Sequence, residues 1–192
     1  MTKEIIKLTA TLLGLDDVVN YLLNENTTET EPLDEVATKI NDLLVFTNYV
    51  IREVTKDYYP LSYEEKVSSD NQCQIYYNTL SKNAIAIKDI KNNSNLSVTF
   101  NLYPDYIKVG APNSVYKVFY NYVPECLQSI NQEISLPMGL DYFIICYGVA
   151  SEYALSKLLY NEAEMWETKF KNSLENIKSR VGERRFFARR LK

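Results

Sequence analysis

Apolar positions along this chain recur at two different spacings, and the change between them divides it. From Thr2 to Leu13 the apolar residues sit among Lys3, Glu4 and Lys7 in an amphipathic helical pattern. Asp16–Leu23 predicts a second, short helix, with Gly14 as the stop between the two. Asn24–Pro32 is polar and acidic and reads as a loop. Asp34 then caps a long helix to about Tyr58. Its apolar residues Val36, Ile40, Leu43, Leu44, Val50, Ile51 and Val54 are spaced by threes and fours, and Pro60 ends it.

From Leu61 the period shortens. Tyr63–Val67, Gln74–Asn78, Ala84–Ile90, Leu96–Leu102, Tyr106–Val109 and Val115–Tyr122 are short and rich in Val, Ile, Thr and Tyr. Polar turns at Ser69-Asp70-Asn71, Lys91–Asn95 and Gly110–Asn113 separate them, which predicts antiparallel hairpins. Helix returns after Pro124. Leu136-Pro137 places a proline at a first helical position. The helix predicted from there to about Tyr160 has a buried stripe of Leu140, Phe143, Ile144, Tyr147, Ala150, Tyr153, Ala154 and Leu158. Asn161 breaks or bends it. A last helix over Glu162–Arg180 sets Ala163, Trp166, Phe170, Leu174 and Ile177 on one face and Glu162, Glu164, Lys169 and Lys171 on the other.

The order of elements is α+β: a helical bundle of N-terminal helices and a C-terminal helical hairpin, with a small antiparallel β region between them. The hairpin is expected to pack against Asp34–Tyr58. There is no internal repeat. Residues 1–181 are expected to form a single domain, with helices over 2–58, strands over 61–123 and helices over 136–180. Residues 182–192 are expected to form a flexible, basic tail.

Charge sharpens this division. The chain carries −4 in all, yet from Lys178 onward Lys178, Arg180, Arg184, Arg185, Arg189, Arg190 and Lys192 face Glu183 alone, a net +6 that leaves −10 on the rest. Arg52 is the only arginine before Arg180. An acidic body with a basic end suits nucleic acid or an acidic partner. Phe186, Phe187 and Leu191 among the arginines favour a docking role, since a merely solubilising tail has no use for exposed aromatics.

Candidate chemistry is sparse. The chain has no histidine, the residue most used for proton transfer near neutral pH. Cys73, Cys126 and Cys146 are far apart, and Cys146 lies in the apolar run Phe143–Tyr147, where a cysteine acts as a small buried hydrophobe. An odd cysteine count without a secretory signal points to a reducing compartment. No glycine-rich phosphate loop, nucleophile elbow or calcium-loop spacing occurs, so neither metal nor cofactor is expected. The carboxylate pairs Asp16-Asp17, Glu64-Glu65 and Glu162/Glu164 lie in charged or polar stretches and read as solvated faces. Tyr76, Tyr77, Tyr116, Tyr120 and Tyr122 are candidates for an aromatic nucleic-acid platform, but strand tyrosines more often cover a half-buried sheet. No apolar run reaches the roughly 20 residues of a membrane span.

The segment SLPMGLDYFIICYGVASEYALSKLLYNEAEMWETKFKNSLENIKSR, with DYYPLSYEEKV, NAIAIKDIKN and YKVFYNYVPECL before it and RRFFARRLK after it, resembles head-to-tail connector (adaptor) proteins of tailed bacteriophages. The shared features are a Leu-Pro opening at Leu136-Pro137, Tyr147 with Ala150 and Ala154, the break at Asn161-Glu162, and then Trp166 and Leu174. The end Ala188-Arg189-Arg190-Leu191 matches an arginine-rich tail closed by a bulky residue, although Leu191 stands where such proteins often carry tryptophan.

The resemblance implies a structural virion protein, not an enzyme. Copies would form a ring, commonly dodecameric, beneath the portal protein at the capsid vertex, made in the host cytoplasm. The ring would join the portal to the next neck or tail protein, with DNA passing through it without sequence-specific binding during ejection. Arg184, Arg185, Phe186, Phe187, Arg189, Arg190 and Leu191 would be the portal-docking tail. A nucleic-acid-binding protein using that basic tail is the alternative, and a small enzyme using a carboxylate pair a weaker one.

Overall fold

A computed structural model of the chain describes residues 1–24, 34–134, 136 and 139–182. Among these the fold is mixed α+β, with five α-helices and two small antiparallel sheets. The chain divides into two compact units, one made of Met1–Ile51 with the segment from Cys126 onward, the other of Arg52–Glu125.

The first unit is helical. α1 (Thr2–Leu12) ends as its glycine predicts: Gly14 adopts a left-handed φ of 66°, and the Gly14 and Leu15 amides donate to the carbonyls of Thr11 and Ala10. α2 (Asp16–Asn24) follows at once, and α3 (Asp34–Glu53) closes in a π-helical turn over Val54–Tyr58 before Pro60. α4 (Tyr142–Ser156) and α5 (Tyr160–Gly182) complete the helices.

α4 lies at the centre of this unit. Ile145, Cys146, Val149, Ala150 and Ala154 are fully buried, and an added Cβ at Gly148 would fall 2.7 Å from Val50 on α3 and 3.1 Å from Phe170 on α5. Glycine is therefore a packing requirement there. Tyr147 stacks on Trp166, and the Ser151 hydroxyl donates to the carbonyl of Ala163 across the same interface. Phe46 of α3 meets Tyr153 edge-on, and the buried thiol of Cys146 donates to the carbonyl of Ile5 on α1. The segment after Cys126 is clamped to α3 by Asn48, whose amide nitrogen donates to the Leu127 carbonyl while its oxygen accepts from the Leu127 amide.

Two features of α4 differ from the expectation. It begins at Tyr142 and not at Leu136-Pro137, because Gly139 sits at a φ of 87°, which no helix continues, and Asp141 supplies the N-cap by accepting from the Phe143 amide. It also ends at Ser156, before Asn161. Leu158, expected on the buried stripe, falls beyond that end and is exposed; Phe143, in the first turn, is exposed as well.

The second unit holds the strands β1 (Leu61–Ser68), β2 (Gln74–Tyr76), β3 (Asn83–Lys91), β4 (Asn101–Leu102), β5 (Tyr106–Lys108) and β6 (Val115–Val123). One sheet has the order β1-β6-β3 and the other β2-β5-β4. The pairing is antiparallel, as expected, but only β4 and β5 are both consecutive in the chain and hydrogen-bonded to each other, so the expected run of hairpins is not what forms. β6 is the central strand, pairing Leu61 with Tyr122 on one side and Asn83 with Val123 on the other. Most of the expected strand Leu96–Leu102 is irregular: Asn92 accepts from the amides of Ser94 and Leu96 in a tight turn, and only Ser97 bridges back to Lys91. The core between the sheets is Ile75, Leu80, Ile90, Ile107, Val109, Tyr116, Val118 and Tyr120.

Candidate interaction surfaces

The carboxylate pairs are drawn into structural bonds or left in solvent. Asp17 accepts from Lys39 at 2.7 Å, and that bond holds its carboxyl below the usual range; Lys39 also reaches Glu35 at 2.9 Å, tying α2 to α3. Glu64 and Glu65 are neighbours on β1, so their side chains leave on opposite faces. Glu64 pairs with Lys117 at 3.0 Å. Glu65 crosses the sheet face to accept from the Tyr120 hydroxyl and from both the amide and the hydroxyl of Ser81. Burial alone would raise its carboxyl, but those three donors outweigh burial and hold it low. Burial, with Glu65 alongside, raises the Tyr120 phenol. Neither group changes charge near neutral pH, so the pair acts as a clamp. Glu162 and Glu164 lie on exposed positions of α5.

Cys146 is buried, and burial pushes its thiol up to about 11, while Cys126 is exposed and Cys73 half-buried. No group of His, Cys, Asp or Glu able to hold a metal ion occurs among the described residues. No helix among them is long and apolar enough to cross a membrane.

The tyrosines separate by environment. Tyr116 and Tyr120 belong to the core, which takes them out of any aromatic platform. A partly exposed aromatic group does form around one of the candidates, Tyr76, where the half-buried Tyr106 lies 6.0 Å from it across the β2–β5 ladder and stacks at 4.7 Å on Tyr103. Tyr103, Leu102 and Pro104 continue into a groove of about 390 Å3 with Tyr77, Ile85 and Ile87. Neither Tyr103 nor Tyr106 stood out in the sequence; the signal was Tyr103-Pro104-Asp105-Tyr106, a turn sequence between two strands.

The most unusual surface is the turn between α4 and α5. Residues 155–160 are all exposed, and four of them are apolar: Leu155, Leu158, Leu159 and Tyr160. The turn repeats the hydrogen bonding that ends α1, with the Leu158 amide donating to the Leu155 carbonyl and the Leu159 amide to that of Ala154. The residue placed left-handed is Leu158, at a φ of 61°, where α1 uses Gly14. A side chain with a Cβ costs about 1–2 kcal/mol in that conformation. Leu158 is nevertheless 68% exposed and gains no packing in return. Lys157 braces the base of the turn, bound to Asp42 of α3 at 3.2 Å and lying over the Tyr153 ring.

The tail residues Arg184, Arg185, Phe186, Phe187, Arg189, Arg190 and Leu191 lie outside the described residues, as does Pro137. α5 carries the chain as far as Gly182. No protein-family model matches the chain, and no curated protein matches its sequence.

Proposed function

We propose that this chain is a structural virion protein, the ring-forming subunit of a head-to-tail connector (adaptor) in a tailed bacteriophage. One observation carries the reading: the resemblance to connectors spans most of the chain and centres on residues 135–180, which include α4 and most of α5, and a tail combining four arginines with two adjacent phenylalanines follows. A helical unit assembled from both ends of the chain, with an antiparallel unit inserted at Arg52–Glu125, supports it.

In this reading the N-terminal helices and the hairpin of α4 and α5 form the ring wall. The ring closes through unlike faces of neighbouring copies, as cyclic assemblies beyond a dimer require. A body of −10 repels phosphate, so a DNA strand slides through the lumen without being gripped. The tail anchors the ring to the portal, Phe186 and Phe187 in apolar pockets and Arg185, Arg189 and Arg190 forked onto acids. The opposite rim meets the next neck or tail protein.

Sedimentation velocity tests this. The isolated protein should run mostly as a monomer and form rings when purified portal is added, because the portal templates closure. A stable two-fold dimer indifferent to portal would contradict the assignment.

A further inference from the structure

We propose that the α4–α5 turn is a docking site for the basic, aromatic segment Arg184–Leu191 of a second copy of this chain. The turn is built for exposure and not for folding. Gly14 shows that this chain ends a helix in the same hydrogen-bonded motif without strain, whereas Leu158 takes the left-handed position with its side chain in solvent. An outlier kept at a cost to the fold points to a function beyond it. The bond from Lys157 to Asp42 ties the base of the turn to α3, and Leu155, Leu158, Leu159 and Tyr160 beside it present an exposed apolar patch.

Charge selects the occupant. From Tyr142 to Thr168 the glutamates Glu152, Glu162, Glu164 and Glu167 face a single cation, Lys157, which Asp42 already engages. Glu162 and Glu164 stand exposed within four residues of Tyr160, and acid beside an apolar patch suits a segment that alternates cations with aromatics. This chain carries one, Arg184-Arg185-Phe186-Phe187-Ala188-Arg189-Arg190-Leu191.

Length shows that the segment comes from another copy. α5 has 23 residues and so separates the turn from Gly182 by about 33 Å. Phe187 is the fifth residue beyond Gly182, a reach of at most about 18 Å even when fully extended. The phenylalanines therefore fall well short of their own turn. The contact joins unlike ends of two subunits, and this kind of contact propagates into a ring or a filament. It goes beyond portal docking and competes with it, since one tail cannot occupy both sites; tails held by neighbours would be released to the portal.

The test is fluorescence anisotropy of a labelled peptide of residues 183–192, titrated with the full-length protein at low salt. Saturable binding is expected, weakened at least about tenfold by Leu158→Gly and about fivefold by Glu162→Gln with Glu164→Gln, the latter with a shallower salt dependence. Leu158→Gly should melt no lower than the parent, because it relieves the left-handed strain, so lost binding would not reflect lost structure. A peptide with both phenylalanines changed to alanine should not bind. Failure of the parent peptide to bind, or equal binding to Leu158→Gly, overturns the proposal. Leu158→Gly keeps its tail and should still join a portal, so loss of the turn site and loss of portal docking are separable results.

Discussion

Trp166 shows how much one residue reports. Its spacing with Ala163 and Phe170 marked it as core, and it is buried, stacked on Tyr147 with the Lys169 ammonium 4.3 Å from its ring centroid. Trp166→Ala should cost about 3–5 kcal/mol in denaturant melts, and a loss below about 1 kcal/mol would mean that α4 and α5 do not meet as described. Glu65 gives a pH dependence. Its carboxyl is held low when folded, so its stabilisation is complete above the ordinary carboxylate range and is lost as pH falls through the folded value. The melting temperature should therefore drop as pH is lowered below about 4, and Glu65→Gln should lower it at neutral pH while flattening that acid limb. Cys146 and Trp166 were legible because apolar neighbours at helical spacing announce burial. Glu65 was not: its donors Tyr120 and Ser81 lie 55 and 16 residues away, and nothing local to β1 marks them.

At the scale of elements, helices were read better than strand partners for the same reason. The stripe of α3 is a property of adjacent turns, so Pro60 bounded its end closely. Pairing β1 with β6 depends on residues some fifty positions apart, and alternation along β1 says nothing about which strand lies beside it. The start of α4 was misread because Leu136-Pro137 is a valid opening signal, overridden by a left-handed Gly139 and a better cap at Asp141. Asp141→Ala should cost about 1 kcal/mol in thermal or denaturant melts, whereas the same change at Glu133, outside any helix, should cost little. Equal, small losses at both positions would remove Asp141 as the cap.

For the molecule as a whole, the distribution of charge and aromatics was plain in the sequence, whereas the exposed α4–α5 turn was not. A helix running to Tyr160 would have placed Leu158 on the buried stripe, and only the stop at Ser156 turns it outward. Deleting the chain after Gly182 should leave circular dichroism and melting temperature almost unchanged, since the helical unit's core among the described residues, from Ile5 to Leu174, stays intact. The same deletion should abolish recruitment to a purified portal in a pull-down assay. Recruitment at full affinity would move the anchor to the helical body.

The two-part origin of the helical unit also sets an order of events during synthesis. Residues 1–51 present Ile5, Ile6, Leu43 and Val50 long before their partners on α4 and α5 leave the ribosome. The strands of Arg52–Glu125 make all their ladder pairs within one stretch of chain and can close as soon as β6 emerges. The last-made helices thus complete the first-made core. Until they arrive, the N-terminal helices are the part of the nascent chain that needs shielding from aggregation, and a pause before α4 would prolong that exposure.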